Sequence, residues 1–271
     1  MIEKKRLDQM LVELGLVQSR EQAKGMIMAG DVYVDNQKAD KPGMSVTAEM
    51  KFEVRGKKLA YVSRGGLKLE KAMQVFPITL ADCVTMDIGA STGGFTDCML
   101  QNGASCVYAI DVGYGQLAWK LRTDERVVNL ERTNIRHITE EQVPQPVDFF
   151  SVDVSFISLT LVLPVAFRFL KEGGRAVCLI KPQFEVGKGR VGKKGVVREP
   201  ALHEEVIDKI TAFAVQTGFS VLGLDFSPVR GPEGNIEYLM FLEKSQSPQL
   251  LPVDIPALVA RSHMELNGEQ P

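Results

Sequence analysis

A glycine-rich turn is the clearest candidate for chemistry in this sequence. The segment VTMDIGASTGGFTD, residues 84–97, has the pattern of a β-strand, a turn and the start of a helix. Gly89, Gly93 and Gly94 would let the backbone approach a ligand closely, and a helix that begins near Gly94 offers free N–H groups. Taken alone, such a turn is also compatible with an ordinary tight connection between a strand and a helix.

The spacing of these glycines separates two kinds of cofactor. A dinucleotide-binding turn follows GxGxxG, whereas this chain has Ser91 at the second glycine position. The turn instead resembles motif I of S-adenosylmethionine-dependent methyltransferases. That resemblance implies S-adenosylmethionine as the cofactor, bound by residues of this segment: Asp87, Gly89, Ser91, Gly93, Gly94 and Phe95.

Further polar residues follow the next predicted strands. Asp111 ends CVYAID, and a carboxylate there can accept hydrogen bonds from both ribose hydroxyls of an adenosine. The resemblance to methyltransferases adds Asn134 as the residue near the adenine and Asp153, which ends the strand of SVDVSF, beside the methyl-donor pocket. Ligands of open α/β sheets bind at the carboxyl ends of the strands, so these residues predict one shared cofactor site.

Four charged residues carry a second resemblance, to the Lys-Asp-Lys-Glu tetrad of FtsJ-type ribose 2′-O-methyltransferases. They are Lys68 in SRGGLKL, Asp153 in SVDVSF, Lys181 in LIKPQFE and Glu237 in GNIEYLM. Their places before or after predicted strands would allow all four to converge on one edge of the sheet. The resemblance implies that they are the catalytic residues and that a ribose hydroxyl is the methyl acceptor.

The chemistry of that acceptor explains why such a set is needed. A ribose hydroxyl is a poor nucleophile near neutral pH, so a base has to remove its proton. Lys181 follows an apolar strand, and burial together with the nearby Lys68 would favour its neutral amine form. Asp153 and Glu237 would then orient the lysines. In the alternative interpretation, the lysines are surface cations and the acids are their ordinary partners.

The first sixty residues have a different pattern. Apolar residues from Leu7 to Leu14 recur at helical spacing, and Ser19 with Gln22 forms a capping box for a second helix. DVYVD and KFEV have the pattern of two short strands. The sequence therefore predicts a small α+β domain over residues 1–60.

The run RLDQMLVELGLVQSREQAKGMIMAGDVYVD, residues 6–35, resembles the S4-type RNA-binding domain. This resemblance implies binding to folded RNA, with phosphates contacted by Arg6, Ser19, Arg20, Gln22 and Lys24. A helix N-terminus flanked by cations suits phosphate on physical grounds as well. The alternative is that Arg20 and Lys24 form one solvated helix face with Glu21.

From about residue 80, short apolar β-branched runs alternate with stretches compatible with helices. This pattern predicts an α/β fold, with a parallel sheet covered by helices on both faces. SVLGLDFSPV and IEYLMFLEK, joined by a GPEGN turn, predict an antiparallel pair at the sheet edge. Five parallel strands and a terminal hairpin resemble the seven-stranded, Rossmann-like fold of class I methyltransferases. The expected methyltransferase domain spans residues 69–245, between a linker over 61–68 and a C-terminal tail over 246–271.

A basic segment follows the second tetrad lysine. Residues 181–199, KPQFEVGKGRVGKKGVVRE, contain six positive and two negative side chains. We expect a mobile clamp for RNA that becomes ordered on binding, or, in the alternative, a merely solvated loop. The RNA-binding candidates here and in the linker are Lys188, Arg190, Lys193, Lys194 and Arg64.

Bulk composition excludes several classes. The formal net charge of −2 means that any RNA-binding surface is a local patch. The four cysteines include no CxxC pair and no histidine at ligand spacing, so we predict reduced thiols and no metal site. The start lacks the apolar core of a signal peptide, and no run of eighteen apolar residues occurs, which predicts a cytoplasmic, soluble chain.

An S4-type domain joined to an FtsJ-type domain resembles the TlyA family. That resemblance implies 2′-O-methylation of cytidine in ribosomal RNA of the large subunit, and in some members also of the small subunit. Members often carry a haemolysin label, so a membrane-active toxin is one competing hypothesis and a non-catalytic RNA-binding protein is another. A pseudouridine synthase would need a GRLD-like motif, and an amino-group methyltransferase an (N/D)PPY motif where this chain has DVSFIS.

Overall fold

The structure is a computed structural model that describes residues 4–17, 20–55, 60–187, 189–192 and 195–267. For Glu21, Gln22, Ala29, Pro232 and Asn267 it describes the backbone only. The chain divides into two compact units, Met1–Leu59 and Ala60–Pro271, called here the N-terminal and the C-terminal unit.

The N-terminal unit is a small α+β fold. Its elements are β1 (Lys5–Arg6), α1 (Leu7–Glu13), α2 (Arg20–Ala29), β2 (Val32–Val34), β3 (Gln37–Lys38), β4 (Ser45–Val46) and β5 (Phe52–Val54). Strand β2 pairs with β3 and β5, and β1 pairs with β4. Leu7, Leu11 and Ile27 are fully buried between the helices and β2, as the helical spacing of the apolar residues predicts. The capping box predicted at Ser19 lies outside the described residues.

The C-terminal unit alternates strands and helices. Its first part contains α3 (Gly65–Val75), β6 (Val84–Ile88), α4 (Gly94–Gln101), β7 (Cys106–Ile110), α5 (Trp119–Arg122) and β8 (Val127–Leu130). Its second part contains β9 (Val147–Val152), α6 (Leu159–Phe169), β10 (Leu170–Ile180), α7 (Pro182–Glu185), α8 (Pro200–Thr217), β11 (Phe219–Phe226), β12 (Tyr238–Lys244) and α9 (Ile255–Asn267). Short 3-10 helices lie at Ile135–His137 and Pro232–Gly234.

These strands form one seven-stranded sheet in the order β11-β12-β10-β9-β6-β7-β8. Strands β6 to β10 are mutually parallel, and β12 runs antiparallel to both of its neighbours, β10 and β11. The predicted class I methyltransferase fold is thus confirmed. Of the hairpin strands, however, only β11 forms the edge. Residues Tyr238 to Leu242 are buried on both faces, which makes β12 an interior strand.

Alternation along the strands supplies the two halves of the core. In β10, Val177 and Leu179 face a cluster with α3 and α4, while Cys178 and Ile180 face a cluster with α6, α8 and α9. The sheet is therefore covered on both faces. No helix in the described part of the chain is both long and apolar enough to cross a bilayer.

Two segments differ from the sequence-based expectation. Residues 61–68, predicted as a linker, include the first turn of α3, and Tyr61 there is buried. Residues 116–122, QLAWKLR, are one of the stretches compatible with a helix, but only Trp119–Arg122 form α5. Glu131 accepts hydrogen bonds from the backbone of Gln116 and Leu117 (2.9 and 3.3 Å) and holds these two residues outside the helix. In the tail, PALVARSHMEL is compatible with a short helix in the sequence, and it lies within the thirteen-residue helix α9.

Gly218 ends α8 and provides a test of this packing. Its φ is +112°, and a Cβ atom there would lie 2.7 Å from the ring of Phe167. Gly218→Ala should lower the free energy of unfolding by about 2–4 kcal/mol, because a left-handed backbone strain and a steric clash add up. Gly173→Ala is the matched control, since Gly173 also has a positive φ but nothing within 4 Å of its Cβ position. Equal losses for the two variants in urea denaturation would contradict this description.

Candidate active site

The four residues of the predicted tetrad come from four different elements. Lys68 lies in the first half of α3, Asp153 follows β9, Lys181 follows β10 and Glu237 precedes β12. Because β9 and β10 are parallel neighbours, their carboxyl ends coincide. Strand β12 is antiparallel, so its beginning meets the same edge, where Tyr238 pairs with Ile180.

The side chains form a ring of alternating charge. Lys68 Nζ lies 3.0 Å from Asp153 Oδ2 and 2.7 Å from Glu237 Oε2. Lys181 Nζ contacts Asp153 Oδ1 and lies 3.9 Å from Glu237 Oε1. The structure therefore brings together all four residues that the resemblance singled out.

Burial and charge determine the protonation states of this ring. Burial lowers the pKa of the Lys68 amine more than any other single effect, but Asp153 and Glu237 together outweigh it and raise that pKa. For Asp153, burial acts to raise the pKa, and the two lysines outweigh it, so the pKa is lowered. Lys68 is thus held as a cation and Asp153 as an anion.

One oxygen of the ring is free to act as an acceptor. Glu237 is fully buried, and its Oε1 atom has no hydrogen-bond partner among the described residues. Gly231 packs against this oxygen, which a Cβ atom at that position would approach to 2.1 Å. Oε1 can therefore accept a hydrogen bond from Lys181 if its amine moves.

A cavity of about 690 Å³ adjoins the ring at the carboxyl edge of the sheet. Asp153 belongs to both the ring and the cavity wall. Of the predicted cofactor residues, the wall contains Gly89, Ser91, Asp111, Asn134 and Asp153. The volume lies within the range of about 300–1,000 Å³ that is typical of small-molecule sites.

Asp111 connects two loops on that wall. Its carboxylate accepts hydrogen bonds from Ser91 N (2.8 Å) and Gly113 N (2.6 Å). A carboxylate offers roughly four lone-pair sites, so Asp111 keeps capacity for the hydroxyls of a ribose. Asn134 caps the following 3-10 helix by accepting from Arg136 N (3.1 Å).

The other predicted cofactor residues, Asp87, Gly93, Gly94 and Phe95, are absent from the cavity wall. Asp87 is buried, and its carboxylate accepts hydrogen bonds from Thr96 N, Thr96 Oγ1 and Ser151 Oγ at 2.7–3.0 Å. Gly93 and Gly94 permit close packing of α4, because Cβ atoms there would lie 2.2 Å from Leu121 and 2.4 Å from Ser63. Phe95 is in the core. These four residues stabilise the turn and the start of α4 through hydrogen bonds and packing, and do not face the cavity.

Phe156 also lines the cavity, and the sequence patterns did not predict this. Its side chain is 91% exposed at the wall of the cavity, its φ is +64°, and its ring packs against that of Phe184 with centroids 5.0 Å apart. A large aromatic side chain held in solvent beside a reaction centre suits a flat ligand. The sequence offers one signal for this residue, the segment DVSFIS. In the sequence analysis that segment only argues against an (N/D)PPY motif and does not assign a role to Phe156.

Two predicted RNA-binding arginines converge in the N-terminal unit. Arg6 donates to both oxygens of Asp8 (3.0 and 2.9 Å), and Arg20 donates to one of them at 3.3 Å. Hydrogen bonding from Arg6 is the main cause that lowers the pKa of Asp8 to about 2. The Asp8 side chain is buried whereas each arginine side chain is 51% exposed, so a fixed pair of guanidinium groups faces solvent.

The remaining RNA-binding candidates differ in their surroundings. Arg64 is exposed at the start of α3, and Lys24 is half-buried in α2. Ser19, Lys188, Lys193 and Lys194, and the side chain of Gln22, lie outside the described residues.

The basic segment 181–199 is more structured than a solvated loop. It begins with α7, and Val196 and Val197 are buried in the core. Arg190 makes a bidentate ion pair with Glu205 of α8 (2.5 and 2.6 Å). The described part is therefore anchored at several points, and a phosphate would have to compete with Glu205 for Arg190.

Comparison with known proteins agrees with this geometry. A model of the FtsJ-like methyltransferase matches residues 61–244, and a model of the S4 domain matches residues 5–51. The chain belongs to the FtsJ-like methyltransferase family. It is therefore a methyltransferase, and the added S4 domain groups it with the TlyA proteins.

Several members of this family are similar over nearly their whole length. YqxC of Bacillus subtilis, named as an rRNA methyltransferase, is 50% identical over 98% of this chain and 97% of its own. The 16S/23S rRNA (cytidine-2′-O)-methyltransferase TlyA of Mycobacterium tuberculosis is 45% identical over 89% of this chain and 91% of its own. A solved structure from Streptococcus thermophilus, labelled a hemolysin, is 50% identical with a TM-score of 0.80 and covers both chains completely.

The buried Asp87 gives a pH-dependent prediction for this FtsJ-like unit. Burial raises the pKa of Asp87 to about 6 from an ordinary value of 3.8. A folded-state pKa above the unfolded value means that Asp87 favours folding when protonated, and this stability is lost as pH rises from about 4 to above 6. Asp87→Asn lacks this titration while its amide can keep bonds to Thr96 and Ser151.

Relative to Asp87→Asn, the wild-type chain should lose about 2.5 kcal/mol of unfolding free energy between pH 4 and pH 7. Urea denaturation of both proteins at the two pH values measures this difference, and effects of the other carboxyl groups cancel between them. If the difference in unfolding free energy between the wild-type chain and Asp87→Asn stayed constant with pH, the raised pKa of Asp87 would be refuted.

Proposed function

We propose that this chain is an S-adenosylmethionine-dependent methyltransferase that modifies the ribose 2′-hydroxyl of a cytidine in ribosomal RNA. The observation that carries the proposal is the buried ring of Lys68, Asp153, Lys181 and Glu237 on the rim of the cavity. The relatives named as cytidine-2′-O-methyltransferases in Mycobacterium tuberculosis and Campylobacter jejuni support the choice of nucleotide. Such an enzyme would meet ribosomal RNA or ribosomal subunits in the cytoplasm.

The cavity fits the cofactor that this function requires. Asp111 has acceptor capacity for a ribose, and Ser91 and Asn134 add polar groups on a wall otherwise rich in apolar side chains. When bound, S-adenosylmethionine supplies a methyl group activated by its positively charged sulfur. Asp153 would lie at the boundary between this cofactor and the acceptor hydroxyl, because it belongs to both the wall and the ring.

The ring assigns different tasks to the two lysines. Lys68 is bound by two carboxylates, so it remains a cation and is a poor base. Lys181, whose amine contacts Asp153 and lies 3.5 Å from Ser155 Oγ on the cavity wall, is the lysine to which we assign removal of the hydroxyl proton. Glu237 Oε1, 3.9 Å from Lys181 Nζ, offers a second acceptor for the protonated amine. Holding the hydroxyl in line with the methyl group supplies much of the remaining rate enhancement.

Two further features suit an RNA substrate. The exposed ring of Phe156 offers a stacking surface for an unpaired base beside the reaction centre. The Arg6 and Arg20 guanidinium groups, held by Asp8, offer a place for backbone phosphate. Relatives such as Hemolysin A of Brachyspira hyodysenteriae carry a different label, but no geometry among the described residues favours a lytic function, and we do not propose one.

The base is tested by Lys181→Ala. The variant should lower kcat for methyl transfer to ribosomal RNA by about 10²- to 10⁴-fold, because the proton acceptor is gone. Binding of S-adenosylhomocysteine should stay near the wild-type value, which shows that the fold is intact. Lys171→Ala is the control, since Lys171 is a half-exposed lysine paired with Asp148 outside the ring. Methyl transfer by Lys181→Ala at close to the wild-type rate would eliminate Lys181 as the base.

RNA capture by the N-terminal unit is tested by Arg6→Ala. Loss of one phosphate contact should weaken RNA binding and reduce the slope of log K against log salt concentration by about one. Arg55→Ala serves as the control, because the Arg55 guanidinium is engaged by Glu53, Asn36 and the ring of Tyr33. An unchanged salt slope in Arg6→Ala, measured by filter binding, would argue against this surface.

A further inference from the structure

Glu185 is a buried carboxylate that belongs neither to the ring nor to the cavity wall. It is the last residue of the one-turn helix α7, which begins directly after Lys181, and only 5% of Glu185 is exposed. Its Oε2 atom accepts a hydrogen bond from Ser158 Oγ at 2.6 Å, and its Oε1 atom accepts one from Leu159 N at 2.8 Å. Both partners lie at the start of α6, in the segment that follows Asp153.

These bonds complete the N-terminus of α6. Ser158 is the N-cap residue and accepts a hydrogen bond from Thr160 N at 3.1 Å. Leu159 N is one of the first amides of the helix, which lack partners within it, and Glu185 satisfies this amide from outside. A carboxylate there also matches the positive end of the helix dipole. The unpaired groups at the start of α6 thus account for a capping carboxylate. They do not explain why this carboxylate belongs to the turn that begins at Lys181.

The explanation lies in a series of contacts between two segments. Lys181 Nζ is 3.5 Å from Ser155 Oγ, the rings of Phe184 and Phe156 are 5.0 Å apart, and Glu185 binds Ser158. Residues 155–158 all line the cofactor cavity. One wall of the cavity is therefore attached to the turn that begins at Lys181.

The turn itself is fixed from its other side. Phe184 N donates to Lys181 O at 2.9 Å, which closes the turn on the lysine. Lys209 of α8 donates to the carbonyl oxygen of Glu185 at 3.0 Å. A displacement of Glu185 would therefore change the position of the 155–158 wall relative to Lys181.

We propose that Glu185 is a positioning residue that holds the 155–158 wall against the Lys181 turn, and so sets the distance between methyl donor and base. This inference rests on the proposed function and adds to it a residue that contacts neither donor nor acceptor. The inference requires a side chain at position 185 that can hydrogen-bond to both Leu159 N and Ser158 Oγ. Glutamine can still accept from Leu159 N and can donate to Ser158 Oγ, whereas alanine can do neither.

The test compares Glu185→Ala, Glu185→Gln and Glu172→Ala with the wild-type chain. Glu185→Ala should raise the Kd for S-adenosylhomocysteine about tenfold and lower kcat by at least as much, since two buried hydrogen bonds to a charged group are lost. The KM for RNA should rise less than the Kd for S-adenosylhomocysteine, because only Phe156 of the proposed RNA contacts belongs to this wall, while Arg6 and Arg20 lie in the N-terminal unit. Glu185→Gln should recover most of both losses. Glu172→Ala, which removes an exposed carboxylate paired with Lys244, should behave as wild type.

Hydrogen exchange of the Leu159 amide gives a structural readout of the same contact, and its protection should fall in Glu185→Ala and return in Glu185→Gln. Wild-type affinity and kcat in Glu185→Ala would overturn the inference, as would Glu185→Gln being as impaired as Glu185→Ala. If Glu185→Ala does not fold, wild-type affinity, kcat and Leu159 protection in Glu185→Gln support the inference, and an impaired Glu185→Gln overturns it. A wild-type chain that fails to bind S-adenosylhomocysteine would overturn the proposed function itself, and this inference with it.

Discussion

The contact on which the site depends is the bridge that Asp153 makes between two buried lysines. One carboxylate oxygen accepts from Lys68 at 3.0 Å and the other contacts Lys181. Buried charges are costly unless they are paired and hydrogen-bonded, so two lysines can be held side by side here only because Asp153, together with Glu237, lies between them. Since Asp153 also lines the cavity, one residue directly after β9 fixes Lys181, Lys68 and the proposed donor site relative to each other.

The sheet provides the geometry for this bridge. The parallel strands β6, β9 and β10 all end at one edge of the sheet, so the residues that follow them lie there. Strand β12 is antiparallel and begins at this edge, so Glu237, which precedes it, lies there as well. Gly89 lets the turn after β6 close on Asp153, whose carbonyl oxygen would lie 2.4 Å from a Cβ atom at that position. Asp87 beneath the turn ties α4 to the neighbouring strand β9 through Ser151. The reactive edge is thus supported by contacts that never reach a ligand.

Sequence patterns predict the parts of this arrangement that depend on strand ends, because alternating apolar runs show where each strand stops. They therefore place Asp111, Asp153 and Lys181 at the same edge of the sheet. They do not distinguish a glycine that faces a ligand from Gly93 or Gly94, which make room for neighbouring side chains. The role of Phe156 depends on a positive φ, and that of Glu185 on a bond to a distant helix start, neither of which leaves a local signal. Packing between elements decides these roles.

The position of the transferred methyl group tests the central claim, that the Lys68–Asp153–Lys181–Glu237 ring serves a ribose hydroxyl. Ribosomal subunits incubated with the protein and isotopically labelled S-adenosylmethionine would be digested to nucleosides, and the labelled nucleoside identified by mass spectrometry. We expect label in 2′-O-methylcytidine, in a backbone linkage that has become resistant to alkaline cleavage. Label in a base-methylated nucleoside, or no label in RNA, would contradict it.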